Sequence, residues 1–210
     1  MVGKINRKFL TDHVRGILFG GKLNATQVSG IDAILDYWEK NYAESDDRWL
    51  AYILGTTFHE AARTMQPIPE FGGVKYFTVM YDPPPTGKRP EVAKRLGNDR
   101  QGDGPKYRGR GYVQITGRRN YTEWSTRLKS SGVDLVNKPE LALEVHVALP
   151  ILFEGMMDGT FTKRKLSAYF NKTTEDWVGA RGIVNGRDKD VQIAHYGRTF
   201  YAGIGYTTGT

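Results

Sequence analysis

The 210-residue chain contains no cysteine. That removes disulfides, thiol nucleophiles and thiolate metal sites together, so a Cys/His peptidase and a cysteine-based zinc finger are excluded, and stability has to come from packing. Histidine is scarce, with four in the chain. His59-Glu60 begins like a zinc-protease helix, but Arg63 stands where HExxH requires its second histidine, and His13, His146 and His195 are scattered. Neither a metal site nor a cofactor is expected. A phosphate-binding loop is missing as well, since Gly-Asp-Gly-Pro-Lys ending at Lys106 lacks the Walker spacing. No apolar run reaches the length of about 20 residues that a spanning helix needs. Behind the basic amino terminus, Thr11, Asp12, His13 and Arg15 interrupt the apolar stretch before it resembles an export signal. The expectation is a cytoplasmic product that does not insert into membranes.

What is present fits one monomeric domain spanning 1–210, with 39% hydrophobic residues and no linker to a further module. Thirty Lys and Arg against 23 Asp and Glu give a net charge of +7, which draws such a protein toward polyanions. The basic residues are dispersed, as on an ordinary surface, and nucleic acid is not an expected partner.

Apolar residues at helical spacing predict a helix through Phe9, Leu10, Val14, Ile17 and Leu18, ended by Gly20-Gly21. A second stripe, Val28, Ile31, Ile34, Leu35 and Trp38, follows Asn24 and Thr26, either of which can cap it. Ser45 is positioned to cap a third helix with Asp46 and Asp47 in its first turn; Trp49, Leu50, Ile53, Leu54, Phe58 and Ala61 mark its buried side. Glu60 then falls near its carboxyl end, where the helix dipole disfavours a charged carboxylate and so favours a proton donor.

From Gln66 to Gly111 the chain is punctuated by Pro and Gly and carries Tyr76, Phe77, Tyr81 and Tyr107, which predicts long loops with short helices inside them. Val113-Gln114-Ile115-Thr116 alternates as a short strand, placing Gln114 and Thr116 on one face. Further helices are predicted at 121–128, 139–156 with a break at Pro150, 163–170, 175–184 and 190–201. The fold class is mainly α (α+β), with a small β-hairpin. Trp38, Trp49, Trp124 and Trp177 suit a core, whereas Tyr76, Tyr81, Tyr107 and Tyr112 suit stacking on sugars.

Three segments stand out in order: Phe58-His59-Glu60, then Tyr107-Arg-Gly-Arg-Gly-Tyr-Val-Gln-Ile-Thr116, then Ala180-Arg-Gly-Ile-Val-Asn-Gly186. A His-Glu pair alone is weakly specific, and Asn-Gly is also a common helix stop; the middle segment is the most specific of the three. Together they resemble the family 19 glycoside hydrolases, the chitinase-like enzymes, and among them the compact endolysins of bacteriophages, over roughly Tyr42 to Gly205. The resemblance implies a two-lobed, lysozyme-like helical fold and hydrolysis of β-1,4-linked N-acetylated sugars, with bacterial peptidoglycan as substrate and chitin as the rival. A catalytically inactive glycan-binding protein on the same scaffold is the alternative outside enzymes.

By that resemblance Glu60 is the general acid. The base is an acidic residue near Glu70, as in the shortened endolysins, or nearer Asp82, as in the chitinases. Thr116 takes the place of the hydroxyl residue that helps hold the attacking water. His59, Tyr107, Gln114 and Asn185 are implied substrate contacts, and Arg181 is expected there or against carboxylates of the cleft. The acidic residue that chitinases carry after Asn-Gly has only a shifted counterpart, Asp188. An endolysin of this kind waits in the host cytoplasm and reaches the wall once a separate holin-type protein opens the membrane.

Overall fold

The computed structural model describes residues 3–207. Along the chain run α1 (Arg7–Leu18), α2 (Ala25–Asn41), α3 (Asp47–Glu60), β1 (Ile68–Pro69), α4 (Val74–Tyr81), α5 (Pro90–Leu96), α6 (Asp103–Lys106), β2 (Arg110–Gly111), α7 (Arg118–Arg127), α8 (Val145–Asp158) and α9 (Asp190–Gly203), with short 3-10 turns between the later ones. The mainly helical class with a small antiparallel sheet agrees with the expectation. The chain divides into two compact units, one holding the residues up to Gln66 and those from Leu149 onward, the other Pro67–Ala148.

In the first unit α3 is central. Every residue from Leu50 to Phe58 is buried, so the helix has no wet face over that span, unlike the one-sided stripe that periodicity suggested. It packs on α9, and α1 packs on α9 as well. Glycine makes the α3–α9 crossing close: a Cβ on Gly55 would stand 2.6 Å from the Gly197 nitrogen. Asp46 caps α3, one residue beyond the predicted Ser45, by accepting from the Arg48 N–H. Asn24 and Gln27 close a reciprocal capping box on α2. Pro150 does not break α8. The buried Leu149, Ile151, Leu152 and Phe153, the last stacked on Tyr42 at 5.5 Å, outweigh the lost backbone hydrogen bond.

Two predicted helices of this unit are 3-10 turns instead, Leu166–Ala168 and Gly179–Ile183. Side chains take over the backbone there: Asn171 Oδ1 accepts from the Thr173 and Thr174 N–H groups, and Asp176 Oδ1 from that of Gly179.

In the second unit β1 pairs antiparallel with β2, Ile68 opposite Gly111 and Pro69 opposite Arg110. Tyr107, Tyr112, Ile115, Tyr121 and Trp124 of this unit are all buried. The predicted strand at 113–116 is not one. Residues 112–114 form a turn with Gln114 at φ 53°, and only an isolated bridge joins Ile115 to Arg110. The strand itself falls earlier, on the Arg-Gly pair of the motif, where Gly111 takes φ 95°.

Candidate active site

In the first unit the acid candidate is the last residue of α3. The Glu60 side chain is 17% exposed, and its Oε1 accepts from Arg181 Nη1 at 2.5 Å. Arg181 is almost wholly buried, and its Nε donates to the Asp188 carbonyl at 2.9 Å. The shifted acidic residue therefore enters the site through its backbone. A buried guanidinium beside a carboxylate stabilises negative charge there, against the sense of the helix end.

His59, the neighbour of Glu60, is half-buried. Desolvation pushes its imidazole below the usual 6.5, only partly offset by the charge of Glu60. It is thus the neutral form that accompanies Glu60 near neutral pH. Asn185 is exposed and, with Arg181, Thr162, Arg164, Tyr169 and Arg187, lines a cavity of about 810 Å³ in this unit.

Directly after Glu60 the backbone is strained. Ala62, Arg63 and Met65 have φ of 48°, 63° and 58°, a region that costs a residue with a Cβ of order 1 kcal/mol or more. The amino-terminal half of α2 holds this turn. Gln27 Nε2 donates to the Arg63 carbonyl at 3.0 Å, and Gln66 Nε2 to that of Thr26 at 2.7 Å. Gly30 admits the Met65 carbonyl, which would lie 1.9 Å from any Cβ at position 30.

In the second unit the β1–β2 ladder ends at Glu70. Its N–H donates to the Gly109 carbonyl at 2.8 Å, and the Gly109 N–H donates back to Glu70 Oε2 at 3.0 Å. The Tyr81 hydroxyl donates to Glu70 Oε1 at 2.7 Å. Burial, and then the contact with Glu70, push the Tyr81 phenol above its usual range, so it stays a donor at neutral pH. Three hydrogen bonds to α4 and the motif loop, two of them received by the carboxylate, therefore fix the backbone and the side chain of this half-buried glutamate, leaving lone pairs on its carboxylate free to accept from water.

Asp82, the rival base, is placed differently. It is 2% exposed, Oδ1 accepts from the Gly104 N–H at 2.6 Å, and Oδ2 accepts from the Gly102 N–H at 2.9 Å and the Thr86 hydroxyl at 3.2 Å. Its carboxylate anchors the loop around it and is not open to solvent.

Tyr107 also departs from expectation. It is fully buried, its ring 5.2 Å from that of Tyr121 and 4.9 Å from the Arg118 guanidinium, and its hydroxyl donates to the Val136 carbonyl. It is core, not a sugar contact, because its apolar ring and its hydroxyl both find partners inside the unit. Tyr112 is buried likewise.

Gln114 spends both amide N–H groups on the carbonyls of Ile68 and Gly111, at 2.8 and 2.9 Å, leaving only its oxygen to accept from a ligand. Its oxygen and that of Glu70 crowd Gly109, so the lost Cβ there serves the site's own side chains. Thr116 is half-buried, and its hydroxyl donates to the Gln114 carbonyl at 2.9 Å, which leaves its oxygen able to accept. The role of Tyr81 in holding Glu70 was not visible in the sequence. Nothing in an eleven-residue spacing announces it.

Among the described residues no group of His, Asp and Glu could hold a metal ion, and no helix is long and apolar enough to cross a membrane. No family model matches the chain, and no curated protein matches it. Among solved structures, chitinase C from Streptomyces griseus HUT6037 is similar at 16% identity, with 98% of this chain and 78% of that chain covered and a TM-score of 0.48. A bacterial family 19 chitinase is similar at 17% identity, with 98% and 97% covered and a TM-score of 0.46.

Proposed function

We propose that this protein is a phage-type endolysin that hydrolyses the β-1,4 glycan backbone of bacterial peptidoglycan by general acid/base catalysis. One observation carries the proposal. Of the three candidate carboxylates, two are hydrogen-bonded to a residue of a distant motif segment, Glu60 to Arg181 and Glu70 to Gly109, whereas Asp82 is bound by Gly102, Gly104 and Thr86. Pairing of carboxylates with remote motif residues is what a catalytic role asks for, and a solvated helix end or loop does not need it.

In this mechanism protonated Glu60 gives its proton to the glycosidic oxygen as the bond to the anomeric carbon breaks. Arg181 then stabilises the negative charge left on Glu60, an interaction stronger after the proton has gone than before. Glu70, which accepts from Tyr81 and Gly109, is the base that takes a proton from the water attacking the anomeric carbon. Solvent returns that proton to Glu60 for the next cycle. Thr116 offers an acceptor oxygen to the attacking water, and Asn185 and the Gln114 oxygen contact the sugar. Such a division of labour yields an inverted product.

The test is digestion of purified peptidoglycan by the wild type and by Glu60→Gln and Glu70→Gln, with mass spectrometry of the reduced fragments and NMR of the first anomer formed. New reducing ends of inverted configuration, lost in both folded variants, are expected. Peptide-only fragments would overturn the glycosidase assignment, and cleavage of chitin but not peptidoglycan would move the substrate. Retained wall binding without fragments would identify an inactive binding protein.

A further inference from the structure

Phe71 follows Glu70 directly and is 77% exposed, the most exposed large hydrophobic side chain among the described residues. Val74, at 71%, and Tyr76, at 46%, are exposed within the same six residues. Scattered single apolar residues on a surface need no explanation, but three together beside a candidate catalytic group do.

The bend that presents them is built. A Cβ on Gly72 would stand 2.8 Å from Tyr76 Cδ1 and 2.9 Å from Phe77 Cζ, so the glycine backbone lies flat on these two rings. Phe77 is buried and stacks parallel to Tyr81 at 6.2 Å, and Tyr81 in turn donates to Glu70. Behind the bend the Glu70 N–H is bound to the Gly109 carbonyl. The packing that orients Glu70 thus also fixes the segment carrying Phe71.

We propose that Phe71, flanked by Val74 and Tyr76, is a stacking platform for the apolar face of a pyranose ring, and so a substrate-binding residue beside the candidate base. This rests on the glycan-hydrolase proposal above. Size favours a sugar over a protein partner: three side chains offer on the order of a few hundred Å², against roughly 800 Å² per partner in a stable protein interface. Chemistry favours it as well, because an exposed aromatic ring next in sequence to a carboxylate suits a ligand with one apolar face and a hydroxylated rim.

The experiment measures binding by the full chain carrying Glu60→Gln, with and without Phe71→Ala, by calorimetry. The probes are chitin hexasaccharide and peptidoglycan glycan strands stripped of their stem peptides. Far-UV circular dichroism confirms the fold, which an exposed position leaves intact. Phe71→Ala is expected to raise the dissociation constant at least fivefold and Phe71→Tyr to restore it to within twofold. Phe71→Trp should give a blue shift in emission on adding either glycan. Equal affinity with Phe71→Ala, and no spectral shift, would overturn the platform alone. If the Glu60→Gln chain binds neither glycan, the function proposal fails and the platform with it. Unchanged glycan binding alongside conversion of a dimer to a monomer by Phe71→Ala would make the patch a protein interface and overturn the inference.

Discussion

Arg181 and Glu60 lie 121 residues apart in sequence and meet at 2.5 Å, with the guanidinium almost wholly buried. Removing the cation leaves a mostly enclosed carboxylate without its partner and frees the Asp188 carbonyl. Arg181→Gln is expected to lower kcat roughly a hundredfold and to cost about 3 kcal/mol of stability. Paired turnover assays and urea titrations check it; a variant of unchanged kcat would remove Arg181 from the mechanism.

Tyr81 joins the ring of Phe77 to the carboxylate of Glu70. Tyr81→Phe keeps the stack and deletes only the O–H donor. A loss of about 1 kcal/mol is expected, together with a kcat about tenfold lower at unchanged KM, because this hydroxyl donates to Glu70. A fall in stability without a fall in kcat would show the contact to be merely structural.

Gly109 is held between Gln114 Oε1 and Glu70 Oε2, which would lie 2.9 and 3.0 Å from an added Cβ. Both are ends of flexible side chains, so Gly109→Ala should cost less than about 1.5 kcal/mol. In the proposed mechanism, however, the displaced carboxylate is the base, and a misplacement of an ångström costs about a hundredfold. Thermal melts beside turnover measurements separate the two effects.

His59 gives a pH dependence whose sign can be worked out. Its folded value lies below the usual 6.5 because burial disfavours the charged imidazole. Between the two values the unfolded chain binds more protons, so stability rises with pH through that window. The contribution is complete above about pH 6.5 and is lost as pH falls toward the folded value. His59→Gln should therefore narrow the difference in urea midpoint between pH 7.5 and pH 5. Identical pH profiles for the two proteins would contradict the burial argument.

Much of the helical framework was legible because its signals are local. Asn24 as a cap, the acids at 46 and 47, and the apolar stripes of α1 and α2 each act within a few residues of chain. The helices expected at 163–170 and 175–184 failed for a reason equally local but easily outvoted by periodicity. Asn171 and Asp176 bind nearby N–H groups, and Gly179 and Gly182 weaken any competing helix. The strand expected at 113–116 failed because alternation describes exposure and not pairing; Gln114 turns its amide to the carbonyls of Ile68 and Gly111.

By itself the sequence determined that there are no thiols, that helices dominate, that Glu60 ends a helix, and that acidic residues follow it at positions 70 and 82. Only the tertiary structure gives those two their different surroundings, enclosing Asp82 in the N–H groups of Gly102 and Gly104 while holding Glu70 between Tyr81 and Gly109. It also sent Tyr107 into the core and brought Arg181 to Glu60. The physical reason is that a carboxylate's or a ring's surroundings are set by groups remote in the chain. Local pattern specifies which residues are available for burial and hydrogen bonding, but not which of them meet.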